Sequence, residues 1–241
     1  MTRVPGGQPD GNDGRENLRA GSIDSGHLLL VGAGSGLGLA IAHRFAAGGY
    51  RVTLVARSTE RLGELARSLD DTGAEINTVE ADASRPEDLR ARMTELYSGK
   101  GAPGVVIYNA VLGAPDQLLS STVTHLQEAY AVDVIGAIVV AQEAAPAMKA
   151  AGFGTMIVTG GGFADHPIPA LATVSLGKAA LRSAATMLGA DLGPDGIRVA
   201  TLTIAGQITS GTVFDPARIA ERYWEIVQMD DPWQPEFRFT G

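Results

Sequence analysis

Directly after an apolar run, HLLLVG, the chain carries Gly32-Ala33-Gly34-Ser35-Gly36-Leu37-Gly38 and then a stretch, LAIAHRFAAGG, with apolar residues at helical spacing. A glycine turn between a strand and a helix suits the binding of a phosphate or pyrophosphate. The unpaired N–H groups of the first helical turn face the anion, and no side chain bars its approach. Within the turn, Gly32 permits the tight reversal, Gly36 lets the backbone come close to a pyrophosphate, and Gly38 lets the helix lie close to the sheet. Such a turn can also serve chain reversal alone, but the order strand, turn, helix, strand favours a dinucleotide site. At the end of the second strand stands Ala56-Arg57. A carboxylate there would accept from a ribose 2′-OH, whereas Arg57 offers a bidentate donor to a 2′-phosphate, so NADP(H) is expected over NAD(H), with the Ser35 hydroxyl as a further donor. The competing reading makes Arg57 a solvated residue that opens the next helix.

These residues need elements to hold them. Short runs rich in Val, Ile and Leu predict strands over 27–32, 51–56, 75–81, 104–109, 155–160 and 197–204. Helical periodicity between them predicts helices over 36–48, 58–71, 86–97, 122–150 and about 172–192. Runs such as GVVI and TMIV are apolar on both faces, as strands covered by helices on each side must be. The expected fold is α/β, a Rossmann-type doubly wound parallel sheet in a single domain spanning 27–241, with ligands at the C-terminal edge of the strands. Asp215 and Pro216 read as N-cap and N1 of one more helix, EFRFT at 236–240 as a closing strand, and Trp224, Trp233 and Phe237 as aromatics that pack over a sheet edge. Residues 1–26, rich in Gly, Asp, Asn and Arg and without apolar periodicity, read as a disordered tail with no secretory h-region. No uninterrupted apolar run approaches the ~18 residues of a membrane span, and the expected location is cytoplasmic.

From His27 to its end the chain resembles the short-chain dehydrogenase/reductase family. The resemblance rests on Gly32-xxx-Gly36-x-Gly38, on Asp82-Ala83 after the third strand, and on Tyr108-Asn109-Ala110-Val111 where the family usually has Asn-Asn-Ala-Gly. It rests also on Lys178-Ala-Ala-Leu followed by GPDGIRVATLTIAGQIT, with Ala205-Gly206 for Pro-Gly and Thr209 at the usual Thr. It implies cofactor contacts at Asp82, Ala83, Asn109, Ala110, Lys178, Gly206 and Thr209. It does not carry over the usual catalytic groups. The family's proton-donating Tyr, four residues before the Lys, falls on Val174; its Ser falls in Thr159-Gly160-Gly161-Gly162, at Gly161; its helix-borne Asn falls on Asp133 in AVDVIGA.

The remaining candidates for catalysis are Lys178, Asp133 and Tyr108. Lys178 can hold ribose hydroxyls without the Tyr, Asp133 is expected to pair with Lys178 as a structural or relay group, and Tyr108 either brings its phenol to the nicotinamide side of the cleft or fills space left by lost polar residues. Asp165 and His166, in GFADHPIPA, lie near the expected substrate mouth, where a His can act as a general acid; two neighbouring prolines favour a surface loop instead. Ser175 and Lys178 share a helical face, but no oxyanion partner accompanies them.

Composition narrows the chemistry. The 241 residues include no cysteine, which excludes thiolate nucleophiles, Cys-ligated zinc and iron–sulfur clusters, and no metal is expected. A formal net charge of -8 and a pI near 5.0 argue against nucleic acid as a partner. The leading expectation is an NADP(H)-dependent oxidoreductase acting on a small molecule with a changed proton donor. The alternatives are a non-redox cyclase, isomerase or lyase on the same scaffold, and a catalytically silent NADP(H)-binding protein. The two long helices, 122–150 and 172–192, carry more apolar residues than one sheet-facing stripe uses, so a homodimer or homotetramer through them is expected. Only SGTVF separates Thr209 from Asp215, a short lid over an open site.

Overall fold

The computed structural model describes residues 22–99, 101–230 and 232–241. Seven strands form one parallel sheet: β1 (Ile23–Val31), β2 (Arg51–Ala56), β3 (Ile76–Glu80), β4 (Ala102–Tyr108), β5 (Gly154–Gly161), β6 (Ile197–Ile204) and β7 (Glu236–Phe239), in spatial order β3-β2-β1-β4-β5-β6-β7. The order reverses between β1 and β4, which opens a crevice at their C-terminal ends. Every residue of β4 and β5 is buried, as their unbroken apolar runs require of central strands.

The period of two along β1 sorts its side chains between two helical layers. Leu29 and Val31 pack with Met93, Val140 and Leu181 of α3 (Pro86–Ser98), α5 (Gly136–Ala151) and α6 (Ala172–Leu192). Leu28 and Leu30 pack on the other face with Ile41, Leu62 and Ile219 of α1 (Leu37–Ala47), α2 (Thr59–Arg67) and α7 (Pro216–Gln228). Trp224 meets Phe45 and Tyr50 edge-to-face under the Arg44 guanidinium, and Trp233 donates Nε1–H to the Val199 carbonyl (3.0 Å), so these aromatics pack on the fold.

Beyond shifts of a few residues at the ends of other elements, two boundaries differ from the sequence expectation. β1 begins at Ile23, so part of the expected tail is strand; the rest of that tail, residues 1–21, lies outside the described residues. The early strand was hidden because pairing with β4 slips between Asp24 and Leu28, which breaks the alternation of apolar positions. The slip is held from below by His27, whose ring nitrogens sit 2.9 Å from the Gly101 carbonyl and 2.7 Å from Thr53 Oγ1. Second, the helix expected over 122–150 is α4 (Val123–Tyr130), a π-turn (Ala131–Ile135) and α5, with α4 capped by the Thr122 hydroxyl. Val123–Ala151 is long and apolar enough by composition to cross a membrane; 61% of its most apolar window is buried within the protein.

The π-turn is widened by Tyr108, whose hydroxyl donates 2.5 Å to the Val132 carbonyl. Gly136 leaves room for that hydroxyl: a Cβ there would stand 2.2 Å from Tyr108 Oη. Gly136→Ala is therefore expected to destabilise the fold by about 1–3 kcal/mol through overpacking, and Tyr108→Phe in the same chain to recover part of the loss. Urea melts of the two variants check this; an unchanged midpoint for Gly136→Ala would contradict the packing described.

Candidate active site

Strand register sets the site. Val31 is level with Val55 on one side and Tyr108 on the other, and Tyr108 with Val158, so the next residues, Gly32, Ala56, Asn109 and Thr159, emerge side by side at the sheet's C-terminal edge. Asn109 laces them together. Its Nδ2 donates to the Gly32 carbonyl (3.0 Å), and its Oδ1 accepts from the Thr159 hydroxyl (3.0 Å), which in turn accepts from Tyr223 (2.7 Å) on α7.

The glycine turn has the form its residues imply. Gly32 has φ +86°, and a Cβ on it would lie 2.3 Å from the Ala110 nitrogen, so both conformation and space demand glycine. A Cβ on Gly38 would come within 3.1 Å of the Gly32 carbonyl, the close helix-to-turn packing expected of that residue, whereas at Gly36 a Cβ would meet nothing within 4 Å. Gly36 is also the N-cap of α1, with no side chain bonding the first-turn N–H groups. Leu39 N–H turns back to the Gly34 carbonyl (2.7 Å), and the earlier N–H groups, which no side chain caps, fit an anion.

Two cavities flank the turn. One, of about 270 Å³, is lined by Gly32, Arg57, Asp82, Ala83, Asn109 and Ala110 among others. The other, of about 900 Å³, lies beside Ser35, Arg57, Ser58 and Arg61. Among the described residues no carboxylate approaches the Arg57 or Arg61 guanidinium within 4.0 Å, so both cations face these cavities without a salt-bridge partner. Asp82 closes its own turn, its Oδ1 accepting from Ser84 N–H (2.9 Å). Together these residues fit a nicotinamide dinucleotide: donors at the start of α1 for the pyrophosphate and a polar slot beyond β3, with Arg57 and Arg61 beside it.

Lys178 is buried, and its Nζ donates 2.6 Å to the Thr159 carbonyl; burial lowers its pKa to about 8, against the opposing pull of Asp133. Gly161, extended at φ -156°, leaves the lysine stem uncovered, since a Cβ on it would be 3.6 Å from Lys178 Cγ. Val174, one turn earlier on α6, is buried and brings no polar group.

Several expected roles are corrected. Tyr108 does not reach the cleft: it is 2% exposed, bonded to the Val132 carbonyl, and burial raises its pKa, so it is a core residue. The expected Asp133–Lys178 ion pair is not formed. Asp133 is wedged against the backbone of α6, where a Cβ on Gly177 would stand 2.7 Å from its own Cβ, and its Oδ1 accepts from Leu112 N–H (2.7 Å) while the lysine runs past Gly161 to β5. Burial raises the Asp133 pKa, and its Oδ2 has no hydrogen-bond partner. Asp165 is an ion-pair knot, bonded to Arg182 (2.7 Å) and Arg238 (2.6 Å), which hold its pKa down at about 2; the adjacent His166 is exposed. The Ser175 hydroxyl is taken by the Ile168 N–H and the Leu171 carbonyl. Gly206 and Thr209 lie in the exposed loop after β6, where Gly206 packs against the Phe214 ring and Thr209 N–H donates to the Phe214 carbonyl (3.2 Å).

Sequence reasoning passed over Thr159, Tyr223, Arg61 and Asp116. Asp116 accepts from the Thr173 N–H (3.2 Å), the Thr173 hydroxyl and His125 Nε2 (3.0 Å), and so fastens the loop after β4 to the start of α6. Arg61 was the accessible one, in the first turn of the helix that follows Arg57.

A glycine turn under an uncapped helix, at the switch point of a doubly wound parallel sheet, defines a Rossmann-type dinucleotide-binding architecture. The chain belongs to the short chain dehydrogenase family, whose model matches residues 26–214. It is 33% identical over 129 residues to a 3-dehydrosphinganine reductase of Arabidopsis thaliana, covering 53% of this chain and 38% of that protein. The chain spans about half or less of the length of the first curated relatives it matches. Among solved structures it superposes on a metagenomic short-chain oxidoreductase in complex with NADP (TM-score 0.81, 26% identity, 90% of this chain and 99% of that one). It also superposes on L-sorbose reductase from Gluconobacter frateurii complexed with NADPH and L-sorbose (TM-score 0.71, 29% identity, 77% and 71%).

If Asn109 is the lacing between strands, Asn109→Ala should lower stability by about 1–3 kcal/mol, because the buried Thr159 hydroxyl and the Gly32 carbonyl each lose a partner. Chemical denaturation checks this, and a shift below the error of the melts would show that the edge holds without it.

Proposed function

We propose that the protein is an NADP(H)-dependent oxidoreductase of the short-chain dehydrogenase type, cytoplasmic, acting on a small organic substrate without the family's Tyr and Ser. The observation that carries this reading is the pair of unpaired guanidinium groups, Arg57 and Arg61, beside the open N-terminus of α1. Bound NADP(H) would supply hydride transfer at its nicotinamide. The chain's own residues would do the rest. The α1 N–H groups and Ser35 would take the pyrophosphate, Arg57 and Arg61 the 2′-phosphate, Asp82 and Ala83 the adenine side, and Asn109, Ala110, Lys178, Gly206 and Thr209 the nicotinamide half.

Val174 and Gly161 give no O–H to a developing alkoxide, so a substrate that needs little acid assistance, such as an iminium or an activated alkene, suits the site better than a plain ketone. Lys178 runs past Gly161 with its pKa lowered by burial, and Asp133 opposes that shift through charge alone. The same absence of hydroxyls favours, as second reading, a non-redox enzyme or a silent NADP(H)-binding protein. We place a homodimer or homotetramer contact on the face between α4 and α6, where exposed Leu118, Val123, Tyr130, Ile135 and Leu176 line one groove.

Two measurements test this. Arg57→Ala is expected to weaken NADPH binding by roughly tenfold to a hundredfold, the range of a lost charge-assisted hydrogen bond, and to leave NADH binding nearly unchanged. Fluorescence titration reads both, and equal loss for the two cofactors would refute the 2′-phosphate role. Val174→Tyr combined with Gly161→Ser is expected to create NADPH-dependent reduction of simple ketones, since the extended backbone at 161 accepts a side chain. Ketone reduction at the same rate by the unmodified protein would overturn the account of a missing donor.

A further inference from the structure

Three loops form the mouth of the cleft beyond the C-terminal ends of β4, β5 and β6: residues 109–122, 162–171 and 205–215. They touch one another. Asp116 N–H donates to the Ala170 carbonyl (3.0 Å) between the first and the second, and a Cβ on Gly162 would lie 3.5 Å from Ala205 Cα between the second and the third. In a chain that is 19% charged, these loops contain no Lys or Arg and only three carboxylates. All three carboxylates are spent on the fold. Asp116 is held by Thr173 and His125, Asp165 by Arg182 and Arg238, and Asp215 by the N–H groups of Gly211 (2.6 Å) and Ala217 (2.8 Å). His166 is the one other titratable side chain in them.

What the mouth presents instead is aliphatic. Val111, Ile168, Ile208 and Val213 are exposed, at least one from each loop. Val111 also lines the cavity of about 270 Å³ beside Asn109, so the apolar rim is continuous with the crevice at the sheet edge. The backbone under these side chains is fixed: Ile168 N–H donates to Ser175 Oγ (3.1 Å), and the turn that carries Val213 is closed by Thr209 N–H on the Phe214 carbonyl (3.2 Å). A ligand that covers them releases water and has little loop to order.

We propose that the substrate of the cleft carries an uncharged aliphatic chain, and that Val111, Ile168, Ile208 and Val213 are the rim that binds it. This rests on the reading of the cleft as an oxidoreductase site and names the class of substrate which that site takes. A charged group crossing the rim would give up its water and find no free side chain of opposite sign on these loops, whereas each methylene laid against them leaves water at a gain.

Binding is measured without turnover. 1-Octanol, 1-butanol and octanoate are titrated into the folded protein and followed by ligand-observed NMR. 1-Octanol is expected to bind at least about tenfold more tightly than 1-butanol, since each buried methylene is worth roughly a factor of three to four, and more tightly than octanoate. Ile168→Asp and Val213→Asp are each expected to weaken octanol binding by about tenfold or more and to leave NADPH titration unchanged. Phe153→Asp, exposed at the opposite edge of the sheet just before β5, is expected to leave both unchanged. Octanol binding that survives both rim variants, or that Leu176→Asp in the groove between α4 and α6 removes instead, overturns the proposal. Sedimentation and flotation with phosphatidylcholine vesicles test the other occupants: rim variants that abolish self-association or vesicle binding, with octanol binding unaltered, also overturn it. NADPH binding without octanol binding overturns this inference and leaves the cofactor reading standing. Octanol binding that the rim variants remove, with no NADPH binding, supports the rim and overturns the cofactor reading.

Discussion

The site depends on the Asn109 side chain. Parallel strands that end level at one edge have no backbone bonds beyond their last paired residues, and a buried turn there must find partners elsewhere. Asn109 supplies them in both directions, as donor to the glycine turn after β1 and as acceptor from Thr159 at the end of β5. Tyr223 extends the chain of bonds to α7, on the far helical layer. The glycine turn, the Lys178 anchor on the Thr159 carbonyl and the closing helix are thereby fixed to one another. Because each of these bonds is buried or half-buried, each costs more to break than a surface bond of equal length would.

Small residues do a second kind of work around that edge. Gly32 and Gly38 bring backbone against backbone, Gly136 admits the Tyr108 hydroxyl, and Gly177 admits Asp133. At the first two positions the close approach shapes a cradle for an anion. At the last two it lets polar side chains be buried beside helices, which a larger residue would prevent. Gly161 acts differently: it leaves the Lys178 stem without a side chain beside it that could hold a proton.

Most of the architecture was legible in the sequence because alternating periods of two and 3.6 are local signals. The positions of the glycine turn, Arg57, Asp82 and Lys178 near the sheet's C-terminal edge were legible too, since each is fixed by its offset from an element. Tyr108 was misplaced although its parity gave the answer: it shares the face of Val106, which points into the layer of α3, α5 and α6 and not over the edge. Asp133 and Lys178 were expected to meet because their helices do, but packing of Asp133 on Gly177 directs the two side chains to different carbonyl and amide partners. The Thr159–Tyr223 bond and the Asp116 clamp join residues 64 and 57 positions apart, and nothing in local periodicity announces such pairs.

The Asp116 clamp divides the connection between β4 and α4 into two mechanical parts. The stretch from Ala110 to Asp116 is tethered at one end by the sheet and at the other by Thr173, so it must travel with α6 as a single body. The stretch beyond, with Leu118 and Leu119 exposed at its tip, is tethered only at the start of α4. A molecule entering the cleft therefore meets a wall that yields only if a whole helix tilts, while one approaching from the α4 side meets a compliant apolar tip. The chain is stiff where it faces the cleft and soft where it faces outward.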